Sequence, residues 1–537
     1  MVHIMVTSYY QVAVIAAIIP LFSIISAFIL PLLTTFMKKR ASLFSMIFSE
    51  IVFVVNSIFS FIVFWYVFST RGILTYMFAA FPAPFGIMYE VDYLGAFMGL
   101  LIGFVFPLVN IVTYRYLNKL SKHNEWYYTL YLGLEAGLFG IVYTGDLFNL
   151  FVMLEVLSIT AYGLTAYLRE KGEPLNAAIK YGLFGAVGST MYFIAVVLLY
   201  GGIGTLSMAD AVATSMGLNY FVESIGTSTN TYSVIMFFAV LAVWAFLIES
   251  AIFPHHFWLP DAYSNMPAPA AATMAAVAEG AGVYVIIRII YTITGIAKAD
   301  WLLWVLILLG SSNIIVGGYL MSIARDLKKM IAYSTILDMG YVIMGVGLAS
   351  KMSLQAVLYY VLAHAIVKPL LFIAAGEVEA IHKTTSFDIL QERGCSNPWI
   401  LAAFIIGGLA IIGLPPTNIF FAKLALFEAV LSSKLYPLAF IILVGSAFAF
   451  VGFSRTWYVL MGYRSRKAIS KGVFSINMET KLVLLVFITL VLLTGLFYGY
   501  ISNEFLSQIV SATVSDQYRE QYVLTAYKLF RSIYYGG

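Results

Sequence analysis

Long apolar runs recur along the whole chain, and they constrain its fold more than any other feature of the sequence. A helix needs roughly 20 apolar residues to cross the hydrocarbon core of a membrane, and runs of that length occupy most of the 537 residues. Only 10% of the residues are charged, whereas soluble domains carry about 25%. The sequence therefore predicts a polytopic membrane protein and disfavours a large soluble enzyme, which would need a charged surface.

The apolar runs predict an all-α fold of about 14 transmembrane helices. The predicted spans are 12–36, 43–68, 92–116, 126–143, 147–168, 176–201, 231–252, 270–292, 301–322, 329–350, 354–376, 398–430, 435–462 and 479–501. The segment from Tyr76 to Asp92 is too polar and too rich in proline to cross, so we expect a hairpin or loop there. The tail that begins at Ser502 is mixed in character and is compatible with a surface helix.

Basic residues collect on one predicted side of the membrane. They are Lys38, Lys39, Arg40, Arg115, Lys119, Lys122, Arg169, Lys171, Arg325, Lys328, Lys329, Arg464, Arg466, Lys467 and Lys471. The longest loop of the other side, 202–230, contains no lysine or arginine. Because cytoplasmic loops are enriched in basic residues, we expect both termini to lie outside the cell.

The sequence offers no signature of a redox or nucleotide cofactor. A single cysteine, Cys395, cannot form a disulfide framework, a CxxC pair or a cysteine-ligated iron–sulfur cluster. No glycine-rich phosphate loop stands between a strand and a helix, and the basic residues are spread over loops rather than gathered in a nucleic-acid patch. We therefore expect no cofactor and no catalytic site in this chain, and no nucleic-acid partner.

The segment 242–269 predicts a helix that carries one acid, Glu249, and then breaks. Four prolines follow the acid, at positions 254, 260, 267 and 269, and each of them disfavours a continuous helix. Non-helical backbone at membrane depth is tolerated only where it is buried in protein or lines a wet cavity. A broken helix beside an intramembrane carboxylate indicates an ion site. His255 and His256 lack a third nearby ligand, so they do not indicate a metal site.

Several ionisable residues lie well inside the predicted spans. They are Glu135, Glu155, Lys180, Glu249, Glu279, His364, Lys368, Lys423 and Glu428. Unpaired, such a set would cost on the order of 20 kcal/mol at about 2.5–3.5 kcal/mol each. These side chains must therefore face one another or water, and the row predicts a polar axis through the membrane. The alternative is that individual pairs only lock helices together.

Spacing relates some of these residues to one another. His364 and Lys368 are four residues apart and share one face of a helix. Asp146 and Glu155 are nine residues apart, roughly 13 Å along a helix, which places the first near the rim of the membrane and the second near its middle.

Five stretches resemble landmarks of the large antiporter-like subunits of Mrp-type cation/proton antiporters, which are related to subunits of complex I and membrane-bound hydrogenases. They are GDLFNLFVMLE at 145–155, PHHFWLPDA at 254–262, RDLKKMIAYS at 325–334, AHAIVKPLLF at 363–372 and GLPPTNIFFAK at 413–423. PAPFGI at 82–87 also resembles the family, and the matches occur in the family's order.

The resemblance implies two inverted five-helix repeats, helices 4–8 and 9–13, with helices 7 and 12 broken. It divides the chain into 1–125, a first repeat at 126–292, a second at 301–462, and a last helix with its tail at 479–537. By position, the family's hydrated line of proton-carrying residues corresponds here to Glu155, Lys180, His364, Lys368 and Lys423, and we add Glu249, Glu279, Asp146 and Asp261 as candidates. It also implies a prokaryotic cell membrane and other membrane subunits as partners, in addition to lipid.

Three positions depart from the family pattern. Glu249 stands where a lysine is usual in the seventh helix, and Gly280, beside Glu279, stands at the lysine position of the eighth. Asp338 also replaces a usual histidine or glutamine. Glu155 would then face a second carboxylate unless Lys180 intervenes, and two carboxylates in a medium of low dielectric cannot easily both ionise.

The sequence leaves two functions open. The first is an antiporter-like subunit that moves H⁺, and Na⁺ where carboxylates supply oxygen ligands, within an Mrp antiporter or a redox-driven complex. The second is a degenerate bridging subunit that does not conduct through its first half. The departure at Glu249 favours the second function, and the intact second half favours the first. Enzymatic activity would belong to the complex rather than to this chain.

Overall fold

The computed structural model describes residues 2–37, 40–81, 86–120, 124–168, 170, 172–218, 230–296, 300–394, 397–462 and 476–534. Cys395, most of the stretch 82–87 and several of the basic loop residues lie outside these ranges.

Helices dominate the described chain. In the first half they are α1 (Val2–Met37), α2 (Ala41–Thr70), α3 (Tyr93–Asn118), α4 (Glu125–Tyr143), α5 (Leu147–Thr165), α6 (Glu173–Ile203), α7 (Met208–Met216), α8 (Thr231–Glu249) and α9 (Trp258–Asn265). A helix at 268–294 follows; it contains α10 (Ala268–Thr273), α11 (Glu279–Ile287) and π-helical turns at Met274–Ala278 and Arg288–Thr294.

The second half repeats the pattern of long and short helices. It contains α12 (Asp300–Ile323), α13 (Leu327–Gly347), α14 (Lys351–His382), α15 (Phe387–Arg393), α16 (Pro398–Ile412), α17 (Asn418–Ser432), α18 (Tyr436–Leu460) and α19 (Met478–Leu496). The tail forms α20 (Tyr498–Tyr500), a π-helical turn at Ile501–Leu506, α21 (Ser507–Val514) and α22 (Asp516–Tyr534).

Twelve helices of the described residues are long and apolar enough to cross a membrane. Each lies within a few residues of a predicted span, so the prediction of an all-α polytopic membrane fold is confirmed. The other two predicted spans correspond to α4 and to the broken pair α16–α17, which do not meet the same length and hydropathy criterion. The exact number of fourteen crossings stays a prediction.

The expected hairpin precedes α3. Strands β1 (Leu74–Met77) and β2 (Met88–Val91) pair antiparallel, with Leu74 opposite Val91. Tyr89 of β2 also bridges to Thr144 in the turn between α4 and α5. We call this end of the bundle the hairpin face, and the opposite end the basic face.

Two matching turns relate the halves of the chain. Asp146 bridges to Ser207 at the start of α5, and Asp326 bridges to Ser386 at the start of α13. The amide of Leu147 donates to the Leu206 carbonyl at 2.8 Å, and in the second turn the corresponding bond, from Leu327 to Thr385, measures 2.9 Å. Because five crossings separate the turns, they lie at opposite faces. The same joint is thus built twice with inverted orientation, as the resemblance implied; the predicted domain boundaries remain predictions.

Each half also contains one interrupted helix. In the first half α8 ends at Glu249 and α9 begins at Trp258, and in the second α16 ends at Ile412 and α17 begins at Asn418. Prolines follow both breaks, and Gly413 has a φ of 87°, a conformation that costs little only for glycine. A β-carbon there would also lie 3.0 Å from Cδ of Lys423.

The centre of the bundle consists of the 268–294 helix, α13 and α14. The most apolar stretch of each is 94% buried, compared with 33–39% for α1, α2, α6, α18 and α19. Side chains of the three central helices therefore meet one another rather than lipid, and among them are the buried ionisable residues Glu279, Asp338, His364 and Lys368.

Candidate functional site

The middle of the site is an ion pair between α13 and α14. Lys368 Nζ lies 2.7 Å from Asp338 Oδ2, and both side chains are 0% exposed. Lys368 also donates to Ser334 Oγ at 2.6 Å, and the Tyr360 hydroxyl donates to Asp338 Oδ1 at 2.7 Å. A buried pair is tolerated when its remaining donors and acceptors are satisfied in this way.

His364 lies one helical turn before the lysine of this pair. Its Nε2 is 3.7 Å from Asp338 Oδ2, outside hydrogen-bonding distance. As predicted from their spacing, His364 and Lys368 approach the same carboxylate from one face of α14. One aspartate thus meets two groups that can each accept or donate a proton.

Lys423 is held by the broken end of α16 rather than by an acid. Its Nζ donates to the Ile411 carbonyl at 2.8 Å and to Ser446 Oγ at 3.1 Å, and it lies 4.6 Å from the centre of the Tyr341 ring. Within the described residues no carboxylate comes within ion-pair distance of it. Carbonyls at a helix C-terminus carry partial negative charge, so the break itself stabilises the ammonium group.

In the first half, a neutral side chain donates a hydrogen bond to the broken end of the helix. At the broken end of α8 the Ile248 carbonyl accepts a hydrogen bond from the Ala251 amide, and Trp258 Nε1 donates to the same oxygen at 3.1 Å. An indole donor satisfies the carbonyl without adding a positive charge. Trp258 therefore takes the place that a lysine has at the second break, and α8 ends with an acid, Glu249.

Glu249 and Glu279 line one small cavity of about 20 Å³. Each has a buried carboxylate oxygen, Oε1 of Glu249 and Oε2 of Glu279, that has no hydrogen-bond partner in the described part of the chain. The other oxygen of Glu279 accepts a hydrogen bond from the Tyr263 hydroxyl. A water molecule needs roughly 10–15 Å³ and polar partners. The cavity therefore has room for one water between the two acids.

These groups form one electrically connected row across the centre of the bundle. Glu279 and Asp338 both act on Lys368, and Asp338 and Lys368 act on Lys423. In order, the row holds two acids, Glu249 and Glu279, then the Lys368–Asp338 pair, and then Lys423. Acids and bases together keep the net charge of the interior low, and each of these groups can take up or release a proton.

A second cluster joins the two repeats at the basic face. Asp261 of α9 lies 2.7 Å from Lys180 of α6 and 3.3 Å from Lys329 of α13. Burial raises the pKa of the Asp261 carboxyl, but the two lysines outweigh burial and hold it below its usual value. The cluster lines a cavity of about 940 Å³, large enough for many waters. Lys180 and Asp261 thus line this cavity rather than the buried row.

The structure separates Glu155 from the buried row. Its side chain is exposed on α5, between Val152 and Ile159, which are 37% and 68% exposed. Lys180 does not intervene between Glu155 and Glu249, as one predicted arrangement had it, because it pairs with Asp261 instead. Glu155 still acts electrostatically on Glu249.

Three other candidates have local roles. Asp146 caps α5, since its Oδ1 accepts the Asn149 amide at 2.6 Å. Glu135 accepts hydrogen bonds from Ser23 and Asn56 at 2.6 and 2.9 Å, away from the row. Glu428 is exposed on α17. Among the described residues, no group of three potential metal ligands comes together.

Sequence reasoning missed four residues of the site: Ser334, Tyr263, Trp258 and Tyr360. Only Tyr360 left a usable signal, because it precedes His364 and Lys368 on the same face of α14 at four-residue spacing. Asp338 was noticed as a departure from the family, but its partner was not. Its pairing with Lys368 depends on the packing of two helices, which spacing along one helix does not give.

Comparison with known proteins places these features in one family. Residues 144–449 match the family described as NADH:quinone oxidoreductase/Mrp antiporter, transmembrane. The chain is 30% identical to NADH-quinone oxidoreductase subunit N of Desulforudis audaxviator over 81% of this chain and 86% of that protein. It is also 30% identical to an Na⁺/H⁺ antiporter subunit of Alkalihalophilus pseudofirmus, over 69% and 72% of the two chains.

Solved structures agree with these sequence relatives. A chain of the membrane-bound sulfane sulfur reductase, an archaeal respiratory membrane complex, superimposes with a TM-score of 0.83 and 27% identity over 94% of this chain and 99% of its own length. A chain of the Mrp complex from Dietzia sp. DQ12-45-1b has the same fold, with a TM-score of 0.80 and 20% identity over 95% and 99% of the two chains. This chain belongs to the NADH:quinone oxidoreductase/Mrp antiporter transmembrane family.

Proposed function

We propose that this chain is a proton-translocating, antiporter-like subunit of a multi-subunit membrane complex. The observation that carries the proposal is the fully buried Lys368–Asp338 pair, which has Glu279 on one side and Lys423 on the other. A lysine paired with a carboxylate can release its proton to a neighbour when the local charge changes, because the pKa of each partner depends on the other.

Protons are the ion that this row best supports. Lys368 at its centre is paired with the acid Asp338, and carboxylates, imidazole and amines all exchange protons. The cavity between Glu249 and Glu279 has room for a single water, enough to relay a proton. Coordination of Na⁺ would need several oxygen ligands at one point, whereas lysines occupy the centre of the row.

The degenerate bridging function receives less support from the structure. Glu249 is not stranded, because it shares a cavity with Glu279 and therefore extends the row into the first repeat. The neutral Trp258 replaces the second-half lysine at the helix break without interrupting that connection. We infer that protons enter from the large cavity beside Lys180 and Asp261 at the basic face.

The exposed carboxylate of Glu155 supports a function within a complex. An acid at the centre of a lipid-facing helix costs about 2.5–3.5 kcal/mol, so we infer that another membrane subunit covers this side of α5. The relatives in respiratory complexes and in Mrp complexes lead us to the same inference. By the distribution of basic residues, we place the basic face in the cytoplasm of a prokaryotic cell and both termini outside.

We infer that the complex is of the redox-driven type, because the chain of the archaeal respiratory complex matches with higher identity and TM-score, 27% and 0.83, than the chain of the Mrp complex, 20% and 0.80. Purification of this chain from its native membrane with its partners tests the inference. Iron–sulfur or nickel proteins in the preparation are the expected result. A preparation that contains only small membrane subunits would instead indicate a dedicated antiporter.

The proposed function is tested by transport in vesicles that contain the assembled complex. Lys368→Ala and Lys423→Ala should each abolish coupled proton movement, and Glu249→Gln should have a milder effect. The matched control is Lys351→Ala, an exposed lysine at the start of the same helix as Lys368, which should transport normally. Unchanged transport in both of the buried-lysine variants would refute the proposal.

A further inference from the structure

One buried carboxylate lies at the hairpin face, far along the chain from the row described above. Glu90 of β2 is 0% exposed and pairs in register with Thr75 of β1. Its Oε2 lies 2.8 Å from the position that a β-carbon on Gly145 would occupy. The carboxylate therefore packs directly against the backbone of the turn that starts α5.

Among the described residues, Arg288 is the cation that acts on Glu90, and it is already paired with another acid. Arg288 uses its guanidinium fork on Asp92: Nη1 lies 2.7 Å from one carboxylate oxygen, Nη2 bonds the other, and Nε donates to the Tyr284 hydroxyl at 3.0 Å. Within the described residues, neither oxygen of Glu90 has a hydrogen bond of good geometry, and the Tyr522 hydroxyl is the donor beside it. An ionised carboxylate would be poorly compensated here.

The surroundings also disfavour a negative charge. The titratable groups that face Glu90 from the packed elements are Asp92 of its own segment, Tyr9 of α1, Asp210 of α7, Tyr284 and Arg288 of the 268–294 helix, and Tyr522 of α22. Two further acids share the region with one arginine, which is already paired. Burial raises the pKa of Glu90 to about 8, so the carboxyl changes its proton occupancy near physiological pH.

Helix α22 covers this carboxyl, and one arginine fastens the helix in place. Arg519 is 7% exposed; its Nε donates to the Thr292 carbonyl and its Nη2 to Ser215 Oγ, both at 2.8 Å. A positive charge at the C-terminal end of the 268–294 helix is electrostatically favourable. Tyr522 and Val523 of α22 are buried against the bundle. The helix therefore separates Glu90 from bulk water.

We propose that Glu90 is a proton-binding site at the hairpin face, with α22 as the element that controls its access to water. The proposal rests on the proposed function and assigns Glu90 as the last proton acceptor of this chain on that side. The step is an acid–base exchange: a proton binds one carboxylate oxygen and leaves to a water molecule. No other reactant is needed.

Infrared difference spectroscopy of the purified complex, titrated between pH 6 and 10, tests the site without relying on transport. The unchanged protein should lose a protonated-carboxyl band with a midpoint near pH 8, and Glu90→Gln should lack that component. Glutamine is neutral and similar in size, so it should fold in this site. Glu392→Gln, which removes an exposed acid, is the control and should keep the band. The same titration in Glu90→Gln as in the unchanged protein would overturn the proposal.

The role of α22 is tested with Arg519→Gln. Loosening the helix should admit water and move the Glu90 midpoint towards its ordinary value by about one pH unit or more. An unchanged midpoint, together with increased hydrogen exchange of α22, would overturn the assignment of α22 as the cover.

Transport measurements separate this proposal from the proposed function. Glu90→Gln should slow proton movement at pH 7 by about tenfold or more. If Lys368→Ala abolishes transport and Glu90→Gln leaves it unchanged, the assignment of Glu90 is wrong and the proposed function stands. If Lys368→Ala transports normally, the proposed function fails, and the infrared titration still decides whether Glu90 binds a proton.

Discussion

The Lys368–Asp338 pair offers the sharpest distinction between a proton pathway and a structural bond. At the observed separation of 2.7 Å, the attraction between two unit charges is about 6 kcal/mol for an effective dielectric constant of about 20. Lys368→Met removes the cation that pairs with Asp338 and leaves the buried carboxylate with a hydrogen bond from the Tyr360 hydroxyl. Breaking one side of a buried pair costs about 3–5 kcal/mol.

The double variant Lys368→Met/Asp338→Asn removes both charges and keeps similar volumes. Because replacing a whole buried pair by neutral groups is often close to neutral in stability, the double variant should recover most of the stability that Lys368→Met loses. Thermal unfolding of the complex in detergent measures this coupling. The exposed Lys351→Met serves as the control and should unfold like the unchanged protein.

Transport should respond differently from stability. Proton movement in vesicles should be absent in Lys368→Met and also in the double variant, because neither retains the titratable pair at the centre of the row. A pair that only held α13 and α14 together would give a double variant that is stable and transports normally. That result would refute the assignment of this pair to a proton pathway.

Three further changes test the surroundings of the row. Glu249→Lys should restore the lysine that is usual at the first break and raise transport; no effect, combined with loss of transport in Glu249→Gln, would show that the acid itself carries the proton. Gly185→Ala should destabilise the protein by about 1–3 kcal/mol, because a β-carbon there would lie 1.9 Å from the Tyr162 hydroxyl, whereas Gly182→Ala, with its nearest contact at 3.7 Å, should cost little in the same unfolding assay. Trp258→Phe should remove the indole hydrogen bond to the Ile248 carbonyl and lower stability by about 0.5–1.5 kcal/mol, and an unfolding midpoint equal to that of the unchanged protein would contradict the capping role.

Apolar run length was sufficient to place the spanning helices, because a helix must satisfy its backbone inside the membrane over the full thickness of the hydrocarbon. The prolines after Glu249 also located the first break correctly. Both features depend on residues that are neighbours along the chain, so the sequence alone is enough to predict them.

The lateral arrangement of the helices was harder to predict, for a physical reason. In a membrane, the side of a helix that faces lipid and the side that faces protein are both apolar, so hydropathy does not tell them apart. Glu155 therefore could not be placed on an exposed surface from sequence alone. The inverted repeats likewise came from the family resemblance, and in the structure they appear as the matched turns at Asp146 and Asp326.

Contacts between residues that are far apart in the sequence could not be predicted either. Lys180 and Asp261 are 81 positions apart, and the partner of Lys180 depends on where α9 lies after the first break. The replacement of a lysine by Trp258 as the cap of a broken helix is visible only when both breaks are compared in three dimensions. In the sequence, the acid at position 249 favoured a subunit that had lost function. In the structure, Glu249 shares a cavity with Glu279 and therefore belongs to the row.

The central claim is that ionisable groups of both repeats meet along one hydrated line. Ordered water along that line is the most direct test of the claim. A cryo-electron microscopy map of the assembled complex in lipid, at a resolution that shows ordered water, tests it. We expect a water molecule between the carboxylates of Glu249 and Glu279, and further waters between Lys368 and Lys423. A dry gap between these residues, filled by apolar side chains or lipid, would contradict the claim.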